Sequence, residues 1–504
     1  VDENRRLALL EGLALAAEAP WLGKMRVDRS PGEGPEAALK SLERALGVQA
    51  RALLAHPEED VGTGAEFAVL FGHCARYMQA EDAWLVYDKH EARWKREDRS
   101  GTLAMVKAAA QNRTPALGGG VRKVTYSHAS QARASAKDAL AATAEMFDRF
   151  PAALNTPEGV LDLDTGRVHP HCASMLLTMQ TSAPLGAAPT PLWLDHLRRM
   201  TDGDGEQQKL LQMAAGLALY GGSDKPQQFI FLRGQGRNGK GVFLRTIRRA
   251  LGPYAAIVSK GLFTQRDDAI PHEVLQLRGA RAAFCLEAPR QTVNAASLNT
   301  LTGGDELRGR RLHGNLQGSF HPTFLPLWIC GNESLSLDSH RNEALWERCV
   351  FVDVGAPIPS AERDDSVEPR LSAPDQLSGV VAWLLEGWHM FLGAGRRLPR
   401  TAQGDAYVAA SKERGDSFGR WVRSGALVME MGAEARMEDV ADAYHQWCAA
   451  RNEDPEDPLI CVSALVGWNN VSTPAGEDTV ARGVRLDRSA ASSGFGALLG
   501  REAK

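Results

Sequence analysis

The sequence predicts an α/β core flanked by a mainly helical N-terminal region and a small helical C-terminal part. Three observations carry that reading. Between residues 228 and 355, four apolar strand-like runs, "QFIFLR", "ARAAFCLE", "FLPLWICGN" and "CVFVDV", alternate with polar or helical segments. The first run passes through the Gly-rich turn "GQGRNGKG" into the amphipathic "VFLRTIRRAL", a strand–turn–helix succession. On either side of the core, Ala, Leu, Glu and Arg recur at helical spacing.

At 504 residues the chain is too long for a single core; domains run to about 100–200 residues each. Composition shifts divide it into 1–110, 111–222, 223–400 and 401–504. With 44% hydrophobic and 24% charged residues it is globular in composition. A formal net charge of -4 and a pI near 6.4 exclude a uniformly basic nucleic-acid binder and leave room only for a local basic surface. The seven cysteines form no CxxC pair and no Cys/His zinc spacing, the usage of reduced, mostly buried thiols. Glu11 and Glu18 interrupt the apolar run near the N-terminus, which is therefore expected to be an amphipathic helix, not a leader. No apolar run is long enough to cross a bilayer, so no membrane partner and a cytoplasmic location are expected.

Helical patterns are expected through residues 1–60 and again from 65 to 150, including "QARASAKDALAATAEMFDRF". Turn signals and alternation in "NTPEGVLDLDTGRVHPH" predict a short hairpin. A helical stretch, "PLWLDHLRRMTDGDGEQQKLLQMAAGLALYGG", then leads into the Gly-rich turn. After the α/β part, "LSGVVAWLLEGWHMFLGAGRRLP" predicts a long helix ended by Gly and Pro. Further helical pieces such as "ARMEDVADAYHQWCAA" follow, and the last thirty residues, rich in Ser, Ala and Gly, are expected to be partly disordered.

The turn fits GxxxxGK. Gly234, Gln235, Gly236, Arg237, Asn238, Gly239, Lys240, Gly241 and Val242 make a candidate nucleotide-binding loop. The first N–H groups of the following helix lack intrahelical partners and point outward. Glycines admit phosphate without Cβ clashes, and Lys240 supplies a point charge to the β- and γ-phosphates. Hydrolysis of a triphosphate also needs an acid near Mg²⁺, a polar group for water and a transition-state cation. Glu287 ends the second strand-like run, where an acid can face the phosphates and hold the metal. Asn332 ends the third and can sense phosphate or orient water. Arg348, just ahead of the fourth, can reach a neighbouring subunit's nucleotide, with Arg341 the nearest competitor.

In their order, "LNTPEGVLDLDTGRVHPH", "LQMAAGLALYGG", "GQGRNGKG", "LNTLTGGDELRGRRL", "FHPTFLPLWICGN", "ALWERCVFVDV" and "SGVVAWLLEGW" resemble the superfamily 3 primase–helicases of phages, plasmids and poxviruses. The resemblance spans roughly residues 80–500. It implies an AAA+ type P-loop ATPase core and a helical, winged-helix-like C-terminal domain. It implies ATP and Mg²⁺ as cofactors, with Lys240, Glu287, Asn332 and Arg348 as the catalytic set and Glu287 at the metal. It further implies a homo-oligomeric ring, commonly a hexamer, that moves 3′ to 5′ on single-stranded DNA and unwinds forks. A separate primase or replication factor would be a further partner, and the setting would be a bacterial cell hosting a phage, prophage or plasmid.

The family's channel-lining loop and hairpin fall on the stretch carrying Arg308, Arg310, Arg311 and His313, of which Arg310, Arg311 and His313 are the DNA-binding candidates. Guanidinium groups there would track phosphates without reading sequence. The chain departs from the family pattern at several places. Gly241 stands where the metal-ligating Ser or Thr is usual, Asn299 where Lys is common, Glu333–Ser334 follow Asn332, and Glu347 precedes Arg348. Residues 1–110 lack an acidic pair followed by a basic nucleotide motif, so priming is not expected of them, and Val1 in place of Met leaves room for a further domain upstream. Two other classes share the loop: an AAA+ loader that acts on a protein partner without unwinding, and a small-molecule P-loop kinase.

Overall fold

The computed structural model describes residues 60–97, 101–116, 124–264, 272–289, 292–310, 317–337, 343–355, 357–451, 455 and 480–487. The helices expected within 1–59 lie outside that set. The first described unit contains α1 (Asp60–Phe71), β1 (Ala75–Met78), β2 (Ala83–Asp88), β3 (Arg93–Arg96), α2 (Gly101–Ala116), α3 (Tyr126–Ser135) and β4 (Ala141–Ala142). Its sheet runs β3-β2-β1-β4 and packs through Tyr77 and Trp84 onto Phe67, Val106, Ala129 and Ala132.

The strands correct the expectation of helical patterns, separated only by the Gly-rich "TPALGGGVRK", from 65 to 150. Asp82 takes a left-handed φ of 44° between β1 and β2, and the Asp88 carboxylate accepts from the N–H groups of His90 and Glu91 at 2.8 and 3.0 Å. Such side-chain turns close hairpins. The helix expected over 131–150 also stops early, at Ser135, and the Ala-rich remainder supplies β4 and a single 3₁₀ turn.

Three short strands follow, β5 (Ala153–Thr156), β6 (Gly159–Asp162) and β7 (Val168–His169), so the expected hairpin gains a third strand. The helical stretch beyond it divides into α4 (Pro191–Met200) and α5 (Gly205–Gly216). Gly203, at φ 79°, breaks the run, and Asp204 caps α5 by accepting from Glu206 and Gln207 N–H.

The central sheet is built from β8 (Phe229–Arg233), β9 (Ala255–Ile257), β10 (Ala282–Cys285), β13 (Leu327–Gly331) and β14 (Cys349–Asp353). Between these lie α6 (Lys240–Leu251), α7 (Ala295–Thr302), the antiparallel pair β11 (Leu307–Arg310) and β12 (Gln317–Phe320), and α8 (Glu343–Glu347). The order is β14-β8-β13-β10-β9, parallel throughout. Side chains alternate between two cores, as a sheet covered on both faces requires. Ile230, Leu232, Trp328, Cys330, Val350 and Val352 join one, with α4, α5 and α6. Phe229, Phe231, Leu327, Ile329, Cys349 and Phe351 join the other, with α7.

Beyond the sheet come α9 (Val367–Leu371) and α10 (Pro374–Gly393), and α10 packs along α5. Trp193 of α4 lies fully buried between Phe243 of α6, stacked at 5.6 Å, and Trp383 of α10, edge-on at 5.3 Å. Truncating an aromatic in such a setting costs about 3–5 kcal/mol. This cluster anchors the helix that carries the Gly-rich turn.

The C-terminal part holds α11 (Ala402–Gly415), α12 (Ser417–Trp421), β15 (Leu427–Arg436), α13 (Met437–Ala449) and β16 (Val480–Leu486). The sequence pattern marked only helical pieces here; β15 and β16 pair antiparallel, with a register shift between Met429 and Glu434 where Gly432 takes φ 83°. β16 falls within the thirty residues expected to be partly disordered. Phe418, Trp421, Tyr444 and Trp447 form the core of this part, whereas Tyr407 of α11 stacks on Phe351 of the central sheet at 3.7 Å. Among the described residues, no helix is long and apolar enough to cross a membrane.

Candidate functional site

A parallel sheet opens a crevice outside its carboxyl ends where neighbouring strands connect in opposite directions. β8 is flanked by β13 on one side and β14 on the other, so the turn that follows β8 sits over such a crevice. Gly236 and Gly239 adopt φ of 90° and 92°, and Arg237 between them 53°. Such angles let the chain double back and present Gly239 as the N-cap of α6. The buried faces of Phe243, Leu244, Ile247 and Leu251 hold α6 against the sheet, with Arg248 and Arg249 in its last turn, where cations suit the helix dipole.

Lys240 is almost wholly buried, and its Nζ donates to three oxygens: Gly234 O at 2.7 Å, Asn238 Oδ1 at 3.0 Å and Asn332 Oδ1 at 3.3 Å. Burial lowers its pKa, an effect opposed by the nearby Cys330 and Asp353. Asn238 in turn donates to the carbonyls of Val354 and Gly355 at 3.4 and 3.2 Å, tying the loop to the end of β14. The structure thus brings Gly234, Asn238, Lys240 and Asn332 together.

Glu287 lies two residues past β10, on the rim of a cleft of about 140 Å³ that Asn332 and Glu333 also line. Its side chain is 70% exposed, and the carboxylate pairs with Lys260 Nζ at 3.4 Å. Arg348 lies elsewhere. It precedes β14, and its Nη1 donates to Asn299 O, Asn299 Oδ1 and Thr302 Oγ1 at 3.3, 3.4 and 3.5 Å. Strand rise puts the two ends of β14 about 13 Å apart, so Arg348 does not reach this chain's own loop. Arg310 ends β11 opposite Gln317 of β12. Arg311, His313 and Arg341 lie outside the described residues. Arg308 is 79% exposed and pairs with Glu306 at 3.3 Å.

Several participants carried no sequence signal. His196 of α4 packs on the loop, and a Cβ at Gly239 would stand 2.9 Å from its Cε1. Burial drives the His196 pKa down to about 4, partly offset by the Gly239 backbone. A groove of about 880 Å³ runs from Arg237, Gly239 and Val242 of the loop past His196 to Glu362 and Arg363. Arg233, at the end of β8, pairs with Asp353 at 2.6 Å. His196, Asp353 and Glu362 lie far from the turn in sequence, whereas Arg233 directly precedes it.

A family model described as "D5 N terminal like" matches residues 66–202. A protein of Frog virus 3 (isolate Goorha) named "Putative helicase 022R" is 25% identical over 295 residues, covering 53% of this chain and 29% of that protein. Over these segments the chain is similar to the primase–helicases of phages and viruses. It spans less than a third of the length of that viral relative. The matched segment runs from α1 past the end of α4, so His196 falls inside it and the loop itself outside. Among solved structures, the A form apo C-terminal region of NrS-1 overlaps 82% of this chain and 96% of its own, at 11% identity and a TM-score of 0.45. A second structure of that region, residues 305–718, overlaps equally at 10% identity and a TM-score of 0.44. These superpositions are too loose to transfer residues.

Proposed function

We propose that this chain is an ATP-driven replicative DNA helicase whose AAA+ type core works in a homo-oligomeric ring. The observation that supports this most is the buried Lys240, held on backbone and amide oxygens at a loop over the sheet's crevice, with Asn332 of the adjacent strand in contact. An ammonium kept in place by neutral oxygens is a charge ready to exchange those partners for phosphate. The groove past His196 would take the nucleoside. The phosphates would lie over the N–H groups that open α6.

Mg²⁺ usually keeps its waters and binds one or two carboxylates plus phosphate oxygens. Glu287 fits that modest demand: it is exposed, faces the same cleft as Asn332 and has only a surface lysine as ion-pair partner among the described residues. When bound, the ion would neutralise charge on the phosphates. Asn332 would orient water, and Lys240 would stabilise the developing charge. Arg348, on the edge away from its own loop, suits a role in a neighbour's site. The β11–β12 hairpin, with Arg310 at its end and Arg311 and His313 beyond, would meet single-stranded DNA.

The test is strand release from 3′-tailed and 5′-tailed forks with ATP and Mg²⁺, alongside particle size with and without nucleotide. Unwinding of the 3′-tailed fork by an assembled ring is expected. ATP hydrolysis without strand release would instead identify a loader. Phosphoryl transfer to a small acceptor by a monomer would identify a kinase.

A further inference from the structure

Gly241 is the second residue of α6, and the space a side chain would fill there is already taken. An ideal Cβ would stand 2.7 Å from Arg245 Nη1 and 3.3 Å from its Cζ and Nη2. Arg245 lies one turn further along, and long helical side chains fold back toward the N-terminus over the residue four before them. Its guanidinium is held by Glu368 of α9: Nε donates to Oε1 at 3.0 Å and Nη2 to Oε2 at 2.6 Å. Arg249 approaches the same carboxylate at 2.8 Å and donates to Ser372 Oγ at 2.8 Å. Two guanidinium groups sharing one carboxylate leave a net positive charge beside the loop.

The pairing also leaves donors over. Glu368 takes Nε and Nη2, and none of the hydrogen bonds of Arg245 to the described residues uses Nη1, the atom nearest Gly241. The Arg245 side chain as a whole is 41% exposed, within reach of a ligand from solvent. A hydroxyl at position 241 would attract a divalent cation. A guanidinium there repels one and attracts phosphate oxygens.

We propose that Arg245 is a phosphate-binding residue of the nucleotide site, aligned by Glu368 against the bare α-carbon of Gly241. It takes over part of the charge neutralisation that a hydroxyl-held metal would otherwise supply. Gly241 is then the residue that makes room for it. This rests on the nucleotide reading above and concerns how the phosphates are gripped.

The experiment is a titration of the full chain with N-methylanthraniloyl-ATP, in Mg²⁺ and in EDTA, with melting temperature as the control for folding. The wild type should keep binding in EDTA with a loss of only a few-fold. Arg245→Ala should weaken binding in EDTA roughly tenfold, the scale of a lost charge-assisted hydrogen bond, and less in Mg²⁺. Arg245→Lys should restore part of it, and Glu368→Gln, which keeps both arginines, should give a smaller loss in the same direction. Gly241→Ser should weaken binding by displacing Arg245, while Gly241→Ser combined with Arg245→Ala should regain binding that depends on Mg²⁺. If Lys240→Ala loses binding while Arg245→Ala and Glu368→Gln match the wild type in both buffers, the role of Arg245 is overturned and the nucleotide site stands. If Lys240→Ala binds like the wild type, the nucleotide reading itself fails.

Discussion

Lys240 Nζ lies 3.3 Å from Asn332 Oδ1, joining the first residue of α6 to the residue that follows β13. The contact makes a sharp distinction between two substitutions. Asn332→Ala leaves the ammonium its other two oxygens, so nucleotide should still bind while hydrolysis falls roughly 10²-fold, the scale for removing one stabilising group. Asn332→Asp places a carboxylate beside a buried lysine, and that ion pair competes with phosphate. Nucleotide affinity should drop further than in the alanine variant. Parallel fluorescence titrations and phosphate-release assays separate the two effects.

His196 makes the loop sensitive to acid. Its folded pKa is about 4 against an ordinary 6.5. Between those values the unfolded chain takes up a proton that the folded chain refuses, so stability falls as pH falls through that window and the loss is complete below about 4. The full effect is about 3 kcal/mol, and about 2 kcal/mol of it is present at pH 5. His196→Gln removes the titrating group. The drop in melting temperature between pH 7 and pH 5 should therefore be smaller in that variant than in the wild type.

The crossing of α5 and α10 is set by two glycines. A Cβ on Gly216 would clash with Trp388 N, and one on Gly387 with Gln212 O, so backbone meets backbone there. Alanine favours a helix by about 1 kcal/mol over glycine, but forcing the helices apart costs about 1–3 kcal/mol or more. The clash wins. Gly216→Ala and Gly387→Ala should each lower the melting temperature, while Gly393→Ala, which meets nothing within 4 Å, should not.

What the sequence revealed followed the range of the forces involved. The strands ending in Arg233, Cys285, Gly331 and Asp353 were legible because burial on two faces writes a nearly continuous apolar run. The loop was legible because its glycines and Lys240 are contiguous. The strands at 75–96 were missed because their turns are made by the φ of Asp82 and the carboxylate of Asp88, which helical spacing of Ala and Leu does not report. Glu368 and His196 were invisible for a different reason. Glu368 is 123 residues from Arg245, and nothing local marks a partner chosen by the packing of α9 on α6.

The β11–β12 hairpin predicts a salt signature. Each phosphate neutralised on a single strand contributes about 0.7 to the slope of log affinity against log salt. Arg310→Ala and Arg311→Ala should each weaken single-stranded DNA binding and lower that slope by about 0.7, alike for different base sequences. Arg308→Ala should do less, because its guanidinium is already paired with Glu306. Anisotropy titrations from low to moderate salt give the slopes.

Arg348 separates an assembled site from a self-contained one. Its Nη1 is turned toward Asn299 and Thr302, at the end of the sheet away from the loop that Lys240 opens. If it serves a neighbour, Arg348→Ala should bind nucleotide like the wild type yet lose roughly 10³-fold in hydrolysis by the assembly. A head-to-tail interface pairs the loop of one chain with the arginine edge of the next. Mixing Arg348→Ala chains, whose loops are intact, with Lys240→Ala chains, whose arginines are intact, should therefore create some competent interfaces from two inactive proteins. Recovery of hydrolysis on mixing, measured against each variant alone, is the expected result. Activity that stays at the sum of the two would place Arg348 in the packing of α7 against β14 and deny it a part in catalysis.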